Sequence, residues 1–216
     1  MTDIAVEPTI RENSPVDAND AAWASINTPL HPDSLLVFIQ DIERLLRINP
    51  MLEFKKWDQL STSHFFMAGR NISQETAFEF ETDLHVKQLS NGIEIEYEQG
   101  IKSRTTFEVE SVELENSEPG SKLTITDYYD RFDEEDGQNK LAEVDKSLVN
   151  WATDLQRYIL KWQKWSRFGL WRWYMRRVWQ PMKPTARRIT YMLLWISVVE
   201  VALIALGAAL YIAEYR

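Results

Sequence analysis

Two carboxylates sit where an acid is out of place, and any chemistry would start from them. Asp127 follows Leu123 and Ile125 at the two-residue spacing of a strand, which turns all three to one side. A carboxyl group buried there could act as a general acid or base, and Asp127 with Tyr97 are the residues on which such an enzyme would rest. A bulge near the strand's end would instead leave Asp127 in solvent with the acidic run DRFDEEDG. That second reading is favoured, and Asp127 is only a weak catalytic candidate. Glu200 is the second carboxylate, at the middle of a long apolar run.

Other chemistry is soon excluded. The 216 residues hold no cysteine, so thiolate metal sites and disulfides are impossible. His31, His64 and His85 lie far apart at no ligand spacing, so no metal is predicted. No Ser-His-Asp order or phosphate loop occurs, and no catalytic set or obligatory cofactor is expected.

The element around Glu200 is the plainest in the chain. Residues 189–212, ITYMLLWISVVEVALIALGAALYI, hold no proline, no lysine or arginine, and one acid. As a helix they span about 36 Å, enough for a hydrocarbon core of roughly 30 Å. A transmembrane helix is predicted. A carboxylate at its centre costs about 2.5–3.5 kcal/mol on insertion scales, so a partner for it is expected. Ser197, Ile204, Gly207 and Ala208 lie on or near the face of Glu200. Small and polar groups together suggest packing on another transmembrane helix, its own copy or another subunit. A tolerated lone acid, or a proton or quinone role, are the alternatives.

Charge is divided along the chain. The net charge is −9, but residues 157–188 carry ten basic groups and no acid, whereas residues 1–156 carry 13 basic and 31 acidic groups. An acidic body would repel phosphate, so no nucleic acid is expected as partner. The basic segment precedes the apolar run and only four residues follow it, which predicts a C-terminal anchor with the body on the cytoplasmic side, a bacterial inner membrane being the expected setting. Residues 1–19 have no apolar signal core and read as a disordered acidic leader. Within KWQKWSRFGLWRWYMRRVW, Trp162, Trp165, Trp171, Trp173 and Trp179 alternate with Arg172, Arg176 and Arg177. Tryptophan and arginine favour the headgroup zone, so a short helix over 170–180 is expected in the membrane surface, with Leu170, Trp171, Tyr174, Met175 and Val178 on one side.

The body reads as α+β. A strand ending at Pro29 precedes the helical run PDSLLVFIQDIERLLRI, stopped by Asn49–Pro50. About six strands follow. In TAFEFETDLHVKQ, Phe78, Phe80, Thr82, Leu84 and Val86 alternate with charged or polar groups; GIEIEYEQG does the same with Ile95 and Tyr97, and RTTFEVESVELE with Phe107 and Val109. Asn91–Gly92 is a hairpin signal, and Ser111–Val112 breaks phase as a bulge would. From Leu141 to Trp165, apolar residues at steps of three and four, including Leu148, Trp151, Leu155 and Tyr158, make one stripe on a helix of about 28 residues.

This order, with HPDSLLVFIQDIERLLRINP near its start, resembles the START-like (SRPBCC) superfamily, which includes polyketide cyclases and lipid carriers. The resemblance covers residues 20–165. It implies a helix-grip fold, a curved antiparallel sheet of about seven strands wrapped on the long helix, with an apolar cavity between them. The glycine-rich loop of plant members is replaced by WDQLSTSHF, so their ligand preferences do not carry over. The join to a membrane helix also resembles the architecture of the carbon monoxide dehydrogenase accessory subunits, without their motifs. The predicted organisation is a leader (1–19), a START-like domain (20–168), a basic interface segment (169–188), a transmembrane helix (189–212) and a tail (213–216).

A cavity would be walled by inward residues of the sheet, Phe78, Phe80, Leu84, Ile95, Tyr97, Phe107 and Val109, and by Leu148, Trp151 and Leu155 of the helix. The same residues could equally fill a core. Three functions follow: membrane-tethered binding or transfer of a lipid, isoprenoid or quinone; a non-catalytic accessory subunit; or a cyclase-like enzyme. The first leads. Membrane lipids and a transmembrane protein are the partners expected.

Overall fold

A computed structural model describes residues 21–73, 77–114, 119–129, 131 and 137–214, with side chains from 147 onward in the last stretch. The leader, most of the turn NSEPG, the acidic run after Tyr129 apart from Arg131, and the side chains of stripe positions 141 and 144 lie outside what is described.

Strand β1 (Ala21–Thr28) leads into two short helices, α1 (Pro32–Ile39) and α2 (Ile42–Arg47). Pro32 presets the first turn of α1, and Asp33 sits where the helix dipole favours an acid. The single helical run divides at Gln40 because Asp41 starts a new helix, its carboxylate accepting from the Arg44 backbone N–H at 3.2 Å. Six strands follow: β2 (Leu52–Gln59), β3 (His64–Asn71), β4 (Phe78–Leu89), β5 (Gly92–Tyr97), β6 (Arg104–Glu113) and β7 (Pro119–Tyr128). They form one seven-stranded sheet in the order β1-β7-β6-β5-β4-β3-β2, with every neighbouring pair antiparallel. The long helix α3 (Gly137–Trp165) then crosses it.

The core lies between the inner face of the sheet and the helices. Phe107 and Trp151 meet edge to face, with ring centroids 5.5 Å apart. The Trp151 indole N–H donates to Leu45 O at 3.2 Å and so stitches α3 to α2. Leu84, Ile95, Leu123, Ile125 and Leu155 are sealed around them, each contributing about 1.5–3 kcal/mol by burial.

One expectation fails here. The β6–β7 register runs without a shift from Arg104↔Tyr128 to Glu113↔Pro119, so there is no bulge at Ser111–Val112. Val112 keeps the parity of Glu108 and Glu110 and stands half-buried on their face. The irregularity lies in β2, between Phe54 and Lys56.

The hairpin signal succeeds for a different reason from the one expected. Leu89 pairs with Gly92, leaving Ser90–Asn91 as the loop. Gly92 has no positive φ; among the described glycines only Gly100 does. A Cβ at Gly92 would instead lie 1.9 Å from Phe107 O on the next strand. Gly92→Ala is therefore expected to destabilise the chain by about 1–3 kcal/mol. Chemical denaturation of the detergent-solubilised protein measures this, and an unchanged midpoint would show that β5 and β6 can part there.

Candidate functional site

The interior of the grip carries a polar chain. Because the register past Thr105↔Asp127 is unbroken, Asp127 keeps the inward phase of Leu123 and Ile125 and is fully buried. The expectation of a solvated Asp127 is overturned. Its Oδ1 accepts from Thr105 Oγ1 at 2.5 Å. Its Oδ2 accepts from the Tyr129 hydroxyl at 3.3 Å and forms an ion pair with Lys102 Nζ. Since Thr105 donates to Asp127, the Tyr97 hydroxyl, 3.1 Å from Thr105 Oγ1, donates to it. Burial, reinforced by the Asp127 charge, raises the Tyr97 pKa while the Thr105 contact opposes it, so Tyr97 stays a neutral donor. Both carboxylate oxygens are thus occupied. The arrangement holds a charge in an apolar interior, as a buried ion pair with its hydrogen bonds made can do.

Nine of the ten predicted wall residues converge. Leu84, Ile95, Tyr97, Phe107, Val109, Leu148, Trp151 and Leu155 are buried in one cluster. Phe80 packs half-buried against it, and Phe78 is half-buried at the start of β4. Nearby, Phe54, Trp57 and Phe65 form an aromatic row with centroids 6.0 and 5.4 Å apart. A recess of about 120 Å³ lies over Lys55, Ala68, Gly69, Glu79, Phe80 and Glu81. It is smaller than the roughly 300–1,000 Å³ of a typical small-molecule site.

The basic segment behaves as two surfaces. It folds as α4 (Gly169–Tyr174) continued by a π-helical turn (Met175–Trp179). Its apolar side turns to the domain: Met175 is buried, and Trp171, Tyr174 and Trp179 pack partly buried on the core. Trp179 lies 5.4 Å from Tyr158, Tyr158 stacks 6.1 Å from Trp162, and Trp162 lies 5.6 Å from Trp171. Three of the five tryptophans expected among headgroups are thus rungs of a ladder on the end of α3. The reason is that Tyr158 and Trp162 continue the apolar stripe of α3, Tyr158 meeting Phe38 at 5.9 Å, and their remaining sides need a cover. The other side is open: Trp173, Trp165, Phe168 and, at 80% exposure, Leu170 face outward with Arg172, Arg176 and Arg177.

Two arginines that the sequence reading passed over hold this junction. Arg44 is buried, its guanidinium 4.1 Å above the Phe38 ring and 5.0 Å from that of Trp162, with Nη2 donating to Phe38 O at 2.9 Å. Burial lowers its pKa, with Asp41 opposing. Arg187 lies 4.0 Å over Trp179 and donates to Arg47 O at 2.7 Å, Gln180 O at 2.8 Å and Trp179 O at 3.0 Å. These carbonyls lie at the ends of α2 and the π-helical turn; Trp179 O also accepts from the Met182 backbone N–H at 3.2 Å, so Arg187 is its second donor. Arg187 is marked in the sequence only as one of the ten basic groups of 157–188, and Arg44, in DIERLLR, carries no such signal.

From this junction α5 (Pro184–Glu214) runs 31 residues with mean hydropathy 2.3 in its most apolar stretch, none of which is buried against the rest of the chain. It is long and apolar enough to cross a membrane. Ser197, Glu200, Ile204, Gly207 and Ala208 are all exposed along it.

Two measurements test the interior and the ladder. Lys102→Met leaves the Asp127 carboxylate buried without its cation and is expected to cost about 3 kcal/mol. Asp127→Asn keeps hydrogen-bonding capacity and frees Lys102, itself 30% exposed, to turn to solvent, so it should cost less. Equal losses in denaturant would show that the pair is not what holds the interior. Burial pushes Tyr158 from 10 up to about 12. Its contribution to stability is therefore complete below pH 10 and lost as the pH climbs towards 12. Tyr158→Phe should flatten that alkaline decline in thermal unfolding; an undiminished slope would place the titration elsewhere.

No family model matches this sequence, and no curated protein matches it. Solved structures do. A START superfamily protein from Mycobacterium smegmatis is 13% identical and superposes with a TM-score of 0.50, covering 66% of this chain and 98% of its own. The ZhuI aromatase/cyclase from a Streptomyces species is 11% identical, again with a TM-score of 0.50, covering 68% of this chain and 96% of its own. Element order, sheet order and the helix gripped by the sheet agree with these similarities: the chain has the START-like helix-grip fold.

Proposed function

We propose that this chain binds a hydrophobic ligand, a lipid, isoprenoid or quinone, while tethered at the cytoplasmic face of a membrane, and passes it to or from the bilayer. The observation that carries the reading is the join: an exposed apolar helix of 31 residues leaves directly from the aromatic ladder that closes the grip. A tether of this kind raises the effective concentration of the module at its lipid source and removes a diffusion step. Trp151 and Phe107 fill the middle of the grip, so the ligand enters by the half-buried Phe78, Phe80, Phe54 and Trp57 at the β2–β4 end. Replacing Phe80 with benzoylphenylalanine in the full chain and irradiating intact membranes is expected to yield a lipid-mass adduct. Glu108, on the outer face of the sheet, should yield none. Absence of any adduct at position 80 would count against the reading.

A second reading, an accessory subunit of a membrane complex, is favoured by one observation. Glu200 stands exposed on an apolar helix with no ion pair or hydrogen bond among the described residues. Benzoylphenylalanine at position 200 should then crosslink to a second protein. Only lipid adducts there would remove this reading.

A further inference from the structure

We infer that the outer side of α4 and the π-helical turn, with the tip of α3, is a docking surface for anionic lipid headgroups. The inference rests on the reading of α5 as a membrane span. At helical spacing the basic segment divides into two arcs. Trp171, Tyr174, Met175, Val178 and Trp179 form the inner arc, and each is at least partly buried. Leu170, Arg172, Trp173, Arg176 and Arg177 form the outer arc, and each is exposed. Trp165 and Phe168, with ring centroids 5.7 Å apart, extend the outer arc towards α3.

The chemistry of this arc fits one occupant. A side built of exposed tryptophan, phenylalanine and leucine between arginines presents an amphipathic ring and an apolar wedge beside permanent positive charge. Aromatic side chains of this kind settle at the headgroup level, and cations beside them attract anionic lipid. None of Arg172, Arg176 and Arg177 has a carboxylate partner among the described ion pairs, whereas Lys55, Lys56, Lys87 and Lys122 on the sheet are each paired with an acid. Continuity supplies the second argument. The arc lies a few residues before α5, and Arg187 in the first turn of α5 holds Trp179 and the end of α2 by three carbonyl bonds. A bilayer crossed by α5 therefore meets this arc first. The inner arc is denied to it by the ladder.

The test uses the full chain in vesicles of phosphatidylcholine with phosphatidylglycerol, in which one lipid or the other carries brominated acyl chains that quench tryptophan. In a Trp195→Phe background, which removes the tryptophan of the span, Trp173→Phe and Trp165→Phe are each expected to remove a large share of the quenchable emission, and Trp179→Phe and Trp162→Phe little. Brominated phosphatidylglycerol should quench more strongly than brominated phosphatidylcholine. The joint variant R172Q, R176Q and R177Q should bring that ratio close to one, with its thermal unfolding unchanged. Quenching lost equally on replacing Trp179, or a ratio indifferent to the three arginines, would overturn the surface while leaving the span intact. A chain stripped from floated vesicles by alkaline carbonate would overturn the span and the surface with it. A lipid adduct at Phe80 bears on the ligand reading alone, so the two failures are distinguishable.

Discussion

The Arg187 guanidinium gathers three backbone carbonyls, one from the end of α2 and two from the end of the π-helical turn, while it lies over the Trp179 ring. Its donors form a fixed planar fork, so these bonds constrain direction as well as distance. Without it, the first turn of α5 would lose these ties to the domain, and Arg47 O and Gln180 O would lose the donor that it supplies. With it, the apolar helix, the basic segment and the end of the grip form one joint.

That joint explains why the basic segment is so rich in aromatics. Leu148, Trp151 and Leu155 are sealed by the sheet and the early helices, while Tyr158 meets Phe38 of α1 at 5.9 Å and Trp162 stays half-buried, so each keeps a side to be covered. Trp171 and Trp179 cover them, and Arg44 fills the space beneath Trp162. The remaining aromatics have no such neighbour. The same composition thus serves packing on one arc and exposure on the other.

At the middle of the grip the physics is that of a buried ion pair. Asp127 is held in an apolar interior because Lys102, Thr105 and Tyr129 meet its oxygens, and Tyr97 extends the chain through Thr105. Such a pair adds little net stability compared with an apolar replacement, but it fixes the alignment of β6 on β7 and of the β5–β6 connection on both. Arg131 reinforces this end by donating to Tyr97 O at 2.7 Å and Glu98 O at 3.0 Å.

The pattern of residues by itself determined the element order, the one-sided strands, the helical stripe and the apolar run of 189–212, because each is a matter of local periodicity and length. Alternation also put nine of the ten expected wall residues, all but Phe78, in or against the one core cluster, since it decides which side of a strand is buried. It could not decide whether Asp127 was wet or dry: that depended on the unbroken β6–β7 register, a pairing between distant segments. Nor could it divide the five tryptophans, whose spacing fits lipid and protein alike. Only the tertiary contacts of Tyr158 with Trp162 and Trp179, and of Trp162 with Trp171, turned three of them inward. The parts of Arg44 and Arg187 were likewise set by tertiary contact, since a carbonyl in need of a donor leaves no mark on the sequence near the arginine that supplies it.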